Sequence, residues 1–321
     1  MGSIRIIDTG LQSSVQDLGR FEHVGSGVPR SGAADQWSLK LGNRLLGNDV
    51  GAAAIEMTLI GGSFEFDVPC SISLTGAMPA RATIKDPAGN IASVPHIEVV
   101  SIHPGSVLHV GRFQEGVYGY LCVQGGMQTP FLMGSRSALV ALPKCGLGSV
   151  CFNGERIPIL TDGIGSANAS GVIPSQTWLH KRSEVRIVPS VHSRLFDAAQ
   201  NAALLHPWTV SSESNRLGVR LKGESIPGEI PRIDSSTGIL PGFIQIPPSG
   251  QPIIIGVDGP ATGGYPVIAS VIEADLARVA QCAPNETLRF EWIDHDKAVE
   301  EYQGLRSNIQ HCSGRQSEKG P

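Results

Sequence analysis

No apolar stretch of this 321-residue chain runs far before a glycine or a proline interrupts it. The 39 glycines and 22 prolines punctuate short runs such as Ser71 to Leu74, Val107 to Val110 and Tyr118 to Val123, which is the rhythm of strands joined by tight turns. Two segments depart from it. Ala34 to Leu46 sets Leu39, Leu41, Leu45 and Leu46 at mixed helical spacing. Tyr265 to Gln281 sets Val267, Ile268, Val271, Ile272, Leu276 and Val279 on one helical face, with Glu273, Asp275 and Arg278 on the other. The expected fold is mainly β with a few helices.

A chain of this length at 41% hydrophobic content can bury a large core and divides most naturally in two. Small and turn-forming residues dominate Thr161 to Thr177, so the boundary is expected there, between an N-terminal half (1–165) and a C-terminal half (175–293). The polar stretch 294–321, ending GRQSEKGP, is expected to fray. Charged residues are 17% of the chain and nearly balanced at net −4, with no basic stripe, so nucleic acid is not an expected partner. The apolar runs are too short to span a bilayer and the start MGSIRIIDTG lacks a signal-peptide pattern; the expected location is the cytoplasm, with no membrane association. Six cysteines without a CxxC pair read as reduced thiols, and nine dispersed histidines form no HxH or HExxH, so no metal is expected.

Candidate chemistry concentrates in a few strings. DGPATGGYP, Asp258 to Pro266, follows the apolar run Pro252 to Val257. Gly263 and Gly264 could turn amides toward a carboxylate or an oxyanion, with the Thr262 and Tyr265 hydroxyls beside them; a tight turn is the alternative. A helix beginning after Pro266 would aim its free amides at that loop and favour an anion. SVQDLGR brings Gln16, Asp17 and Arg20 together, either as an acid and a clamp for a carboxylated ligand or as a structural Asp17–Arg20 pair. In GVPRSGAAD, Ser31 and Gly32 precede Asp35, a helix cap or a base. Glu56 sits inside the apolar AAIEMTLI, where burial would demand partners, unless the strand is an edge facing water. Asn43, Arg136 and Gln245 complete the candidates for ligand binding; Asn215 and Arg216 either bind substrate or hold the halves together.

These strings, with LGNRLLGN (Leu41 to Asn48), LTGA (Leu74 to Ala77), MGSRS (Met133 to Ser137), SNRLGVRLKG (Ser214 to Gly223) and GFIQIPPSGQPIII (Gly242 to Ile255), resemble the allophanate hydrolase subunit 2 family over roughly residues 4 to 292. The resemblance implies two cyclophilin-like β-barrel units. It implies an amide-processing subunit, foremost of the ATP-dependent 5-oxoprolinase type, acting on a small carboxylated amide. The partners implied are a sister subunit of the allophanate hydrolase subunit 1 type and a separate hydrolase subunit, with ATP entering through them and no covalently bound cofactor. The alternatives are biotin-dependent carboxyl transfer to urea or a related amide, a non-catalytic regulator of a sister subunit, and recruitment to another small-molecule reaction. Within the resemblance, Asp17, Arg20, Asp35, Glu56 and Asp258 are the catalytic candidates.

Overall fold

The computed structural model describes residues 2–160 and 184–312. The expected boundary at Thr161 to Thr177 lies outside the described residues. In the first half two sheets close on one core. One runs, in spatial order, Arg156–Ile159, Gly2–Asp8, Ser63–Phe66, Val107–Val110, Ala82–Lys85 and Ile91–Ser93. The other runs Ser13–Gln16, Ala54–Thr58, Phe113–Val123, Cys70–Pro79 and Val99–Ile102. Alternation is clear where one face meets solvent, as in Ser63–Phe66, whose Phe64 and Phe66 point inward and Ser63 and Glu65 outward. Ala54–Thr58 breaks that rule, with Ala54 to Met57 all buried, because its second face is also covered.

The cover is helix α1, Gln36–Leu45, started by Asp35, whose carboxylate accepts from the Ser38 amide at 2.9 Å and its hydroxyl at 2.6 Å. Gly42 lets α1 lie close on the sheet, since a Cβ there would stand 2.6 Å from Cys122 Sγ. Thr75 and Ser73 hydroxyls bond carbonyls of α1, at Ser38 and Gly42.

The second half is a closed seven-stranded barrel: Glu184–Pro189, Val267–Val271, Phe243–Gln245, Ile253–Ile255, Gly218–Lys222, Trp208–Val210 and Thr287–Trp292, which returns to Glu184–Pro189 as a parallel pair. Trp208, Ile244, Ile254 and Ile268 fill it. Short helix α2, Ala198–Ala203, opens with a capping box from Asp197 and Gln200.

Two expectations change. Tyr265 to Gln281 is not one helix: Val267–Val271 is a barrel strand, a 3-10 turn spans Glu273–Asp275, and helix α3 covers only Leu276–Gln281. Val267, Ile268, Ala269 and Val271 are all buried, so the run carries no period-2 signal, and β-branched residues suit the strand. Of the segment 294–321 expected to fray, 313–321 lie outside the described residues and the described part forms helix α4, His295–His311, capped by Asp294. It packs on α1 through Trp37 and Tyr302, ring centroids 5.8 Å apart, and through Ile309. Among the described residues no helix is long and apolar enough to cross a membrane.

Candidate functional site

Strand register explains the first contact of the site. Glu56 and Tyr120 are direct partners across Ala54–Thr58 and Phe113–Val123, so their side chains leave the same face. Tyr120 donates its hydroxyl to Glu56 Oε2 at 2.7 Å and accepts the Asp35 amide at 2.8 Å. The Ala34 amide donates to the same Oε2 at 2.8 Å. Glu56 is therefore a buried carboxyl, and the edge-strand alternative is wrong.

Its other oxygen meets the second half. Arg216 Nη1 donates to Glu56 Oε1 at 2.5 Å, while Nε and Nη2 bind Asp258 side-on at 3.0 and 2.9 Å. Nη2 also reaches the Gly32 carbonyl at 2.7 Å, and the Val140 amide donates to Asp258 at 3.2 Å. One guanidinium thus joins two carboxyl groups from opposite halves, all three side chains 5% exposed or less. Burial works against the charge on Arg216, but Asp258 and Glu56 outweigh it and raise its pKa. For Glu56 burial dominates and pushes the carboxyl above its usual range, Arg216, the Ala34 amide and Tyr120 pulling it back. Two carboxyls sharing one cation leave Glu56 as a place where a proton can rest. Tyr118 and Tyr120 are held as phenols, first by burial and then by Glu56.

The junction is sealed by Gln281 at the end of α3. Its Oε1 accepts the Val117 and Tyr118 amides at 2.8 and 2.9 Å, and its Nε2 donates to the Tyr118 carbonyl and to Asp35 at 2.8 and 2.9 Å. Beside this lock a cleft runs between the halves, with Arg216 and Tyr118 on its walls, apolar Val219, Ile254 and Val279 around them, and Arg30 and Glu273 also lining it. Its walls come from both halves, the usual setting of a small-molecule site.

The other sequence candidates divide by what they touch. Asp17 accepts from the Gly19 amide, the Ser135 and Ser137 hydroxyls and the Arg136 amide, at 2.5 to 2.8 Å, and so organises the MGSRS loop. It forms no ion pair with Arg20, contrary to the structural-pair alternative. Both Asp35 oxygens are engaged, by α1 and by Gln281, as the capping reading expects. Asn43 donates to the Ala52 carbonyl at 2.7 Å and accepts from Asn48 at 2.9 Å, closing the turn after α1. Arg136 donates to the Thr129 carbonyl and to Gln128 and lies over the Phe131 ring.

The TGGYP loop stands apart. Thr262 and Gly263 pair with Gly238 and Thr237 in a small ribbon, Thr262, Gly264 and Tyr265 are exposed, and Gln245 reaches only the Tyr265 carbonyl at 3.3 Å. No helix begins at Pro266, so the expected anion-favouring helix end is absent there. Sequence reasoning missed Tyr118, Tyr120 and Gln281, and left Arg216 undecided. The YGY alternation in an otherwise apolar strand was the available signal for the tyrosines. The described cysteines are free thiols, and burial pushes Cys70, Cys122, Cys151 and Cys282 up to about 12. Among the described residues no group of three or more His, Cys, Asp and Glu side chains is placed to hold a metal ion.

A family described as carboxyltransferase domain, subdomain A and B, matches residues 26–292. The chain belongs to that family. It is 36% identical over 97% of its length to a 5-oxoprolinase subunit of Escherichia coli, 98% of which is covered. It is 30% identical over 92% of its length to urea amidolyase of Saccharomyces cerevisiae, but spans only 17% of that protein. The structure of Kluyveromyces lactis urea carboxylase superposes with a TM-score of 0.86 at 26% identity, over 97% of this chain and 29% of the other. This carboxyltransferase-family chain is thus similar both to a whole separate subunit and to one domain of larger enzymes.

Proposed function

We propose that this chain is a subunit of an ATP-dependent amide-processing enzyme that opens the ring of 5-oxoproline together with partner subunits. The observation that carries the reading is the end-to-end match to the Escherichia coli 5-oxoprolinase subunit, at 36% identity with 97% and 98% of the two chains covered. The partners would be a sister subunit of the allophanate hydrolase subunit 1 type and a hydrolase subunit, with ATP handled through them.

Ring opening coupled to ATP hydrolysis consumes the lactam, ATP and two waters, one added across the amide bond and one to the phosphoryl group, and yields glutamate, ADP and phosphate. The lactam nitrogen must gain a proton as its bond to carbon breaks. Glu56, burdened by burial and within reach of Tyr120 and Arg216, is the group we assign to hold that proton. Asp258 and Arg216 position it. Carboxyl transfer to urea or a related amide is the second reading, favoured by the family's description and by the likeness to urea carboxylase. It would require a biotin-bearing partner.

The discriminating experiment reconstitutes the chain with its candidate partners and measures ATP hydrolysis dependent on 5-oxoproline or on urea with a biotinylated carrier. The proposal expects turnover with 5-oxoproline only when all subunits are present. Turnover with urea and carrier alone would transfer the conclusion to the second reading.

A further inference from the structure

Next to the Glu56–Arg216–Asp258 network, joined to it by the Ser31 amide, which donates to the Val257 carbonyl at 2.8 Å, and by the Gly32 carbonyl, which accepts from Arg216, the fold buries a cation that has no carboxylate partner. Arg20 is wholly buried, and only its Nη2 is engaged, donating to the Ser137 carbonyl. Its Nε and Nη1 are buried without a partner. Asp17, nearest in sequence, is committed to the MGSRS loop. Burial pushes this guanidinium's pKa below its ordinary value despite the opposing pull of Asp17.

Two more wholly buried side chains nearby end in unpartnered atoms, Gln16 Oε1 and Ser31 Oγ. Gln16 Nε2 donates to Ser14 Oγ at 2.9 Å and to the Ala138 carbonyl at 3.1 Å, next along the chain from the carbonyl that holds Arg20. Those two bonds use its amide hydrogens and leave Oε1 as the free end. Ser31 is brought in by the Arg20 amide, which donates to the Arg30 carbonyl at 2.7 Å, and by Gly19, where a Cβ would stand 2.6 Å from the Ser31 carbonyl oxygen. Ser31 itself is held at φ 53°, a conformation costly for a residue with a side chain. Native proteins rarely leave buried polar atoms unpaired, and a buried unpaired charge is the most costly case. Several in one neighbourhood call for a ligand.

We infer that Arg20, Gln16 and Ser31 form a binding site for a small anion that brings its own hydrogen-bond donor. Anionic oxygens accept from Arg20 Nε and Nη1, a ligand N–H or O–H donates to Gln16 Oε1, and Ser31 Oγ serves either role. A cyclic amide acid, with its carboxylate and ring N–H, and bicarbonate share that chemistry. Taking the first as the substrate rests on the function proposed above; the site itself does not.

The test is calorimetric titration and thermal unfolding of the full chain with 5-oxoproline, 2-pyrrolidinone, cyclopentanecarboxylate or bicarbonate, for wild type, Arg20→Met and Gln16→Leu. The expected result is that 5-oxoproline binds. The lactam lacking a carboxylate should bind on the order of 100-fold more weakly and the acid lacking an N–H about 10-fold more weakly. Arg20→Met should abolish binding yet raise the Tm of the ligand-free chain, because an unpaired buried charge is gone; a structural arginine would give the opposite shift. Gln16→Leu, with Arg20 intact, should weaken 5-oxoproline and leave cyclopentanecarboxylate unchanged. Arg20-dependent binding of bicarbonate but not of 5-oxoproline would support the site and exclude the cyclic amide acid. Binding indifferent to Arg20, no binding by any probe, or an Arg20→Met chain that is less stable or fails to fold would overturn the site. These outcomes are independent of turnover in a reconstituted complex.

Discussion

Replacing Arg216 by methionine removes the cation and keeps most of the side-chain volume. Four hydrogen bonds go: one to Glu56, two to Asp258 and one to the Gly32 carbonyl. Glu56 keeps the Ala34 amide and Tyr120, and Asp258 keeps the Val140 amide, but two buried carboxyls now face each other and Gly32 loses its donor. Breaking a buried pair from one side costs about 3–5 kcal/mol, of which an orphaned carbonyl accounts for about 1–3. With a urea slope of about 3 kcal/mol/M, the unfolding midpoint should fall by about 1–1.7 M at neutral pH. Acidification should shrink the loss, since protonating Glu56 removes one of the opposed charges. Equilibrium urea unfolding followed by tryptophan fluorescence at several pH values reads both quantities. A loss below about 1 kcal/mol, or one that does not shrink in acid, would refute the argument that this guanidinium compensates two buried carboxyls.

Glu56→Gln should flatten part of the pH dependence of stability. A carboxyl whose folded pKa is raised binds more protons in the native state, so wild-type stability should decline as pH rises from about 4.3 through the raised value; the variant should lack that decline when ΔG is measured against pH. Gln281→Ala removes four hydrogen bonds that cross between the halves and leaves the Val117 and Tyr118 amides unpaired, for an expected loss of about 2–4 kcal/mol in thermal or chemical unfolding. Gly42→Ala should cost about 1–3 kcal/mol, because the added methyl meets Cys122 Sγ and Thr75 Oγ1 at 2.6 and 3.0 Å; a neutral variant would show that α1 can lift. In native labelling with a thiol reagent, exposed Cys145 should react first and buried Cys122 only after unfolding.

What the sequence made legible follows from where water meets the chain. The β-rich character was readable because glycine and proline punctuation survives in any environment, and α1 was readable because its cap and leucines are local. Val267–Val271 was misread for a physical reason: a strand buried on both faces loses its alternation and mimics a helix core. Glu56 and Asp258 stood out as acids at the ends or centres of apolar runs. Arg216 did not, because what matters about it is register and contact with the other half, and no local pattern encodes either. TGGYP drew attention through glycines that serve a surface ribbon.

The central claim is that Glu56, in its network with Arg216 and Asp258, handles the proton of an amide-opening reaction. Glutamate release from 5-oxoproline by the reconstituted complex tests it, comparing wild type with Glu56→Gln after matched assembly and folding have been verified. kcat should fall on the order of 100-fold or more in the variant, with little change in KM. Wild-type kcat in that variant would contradict the claim.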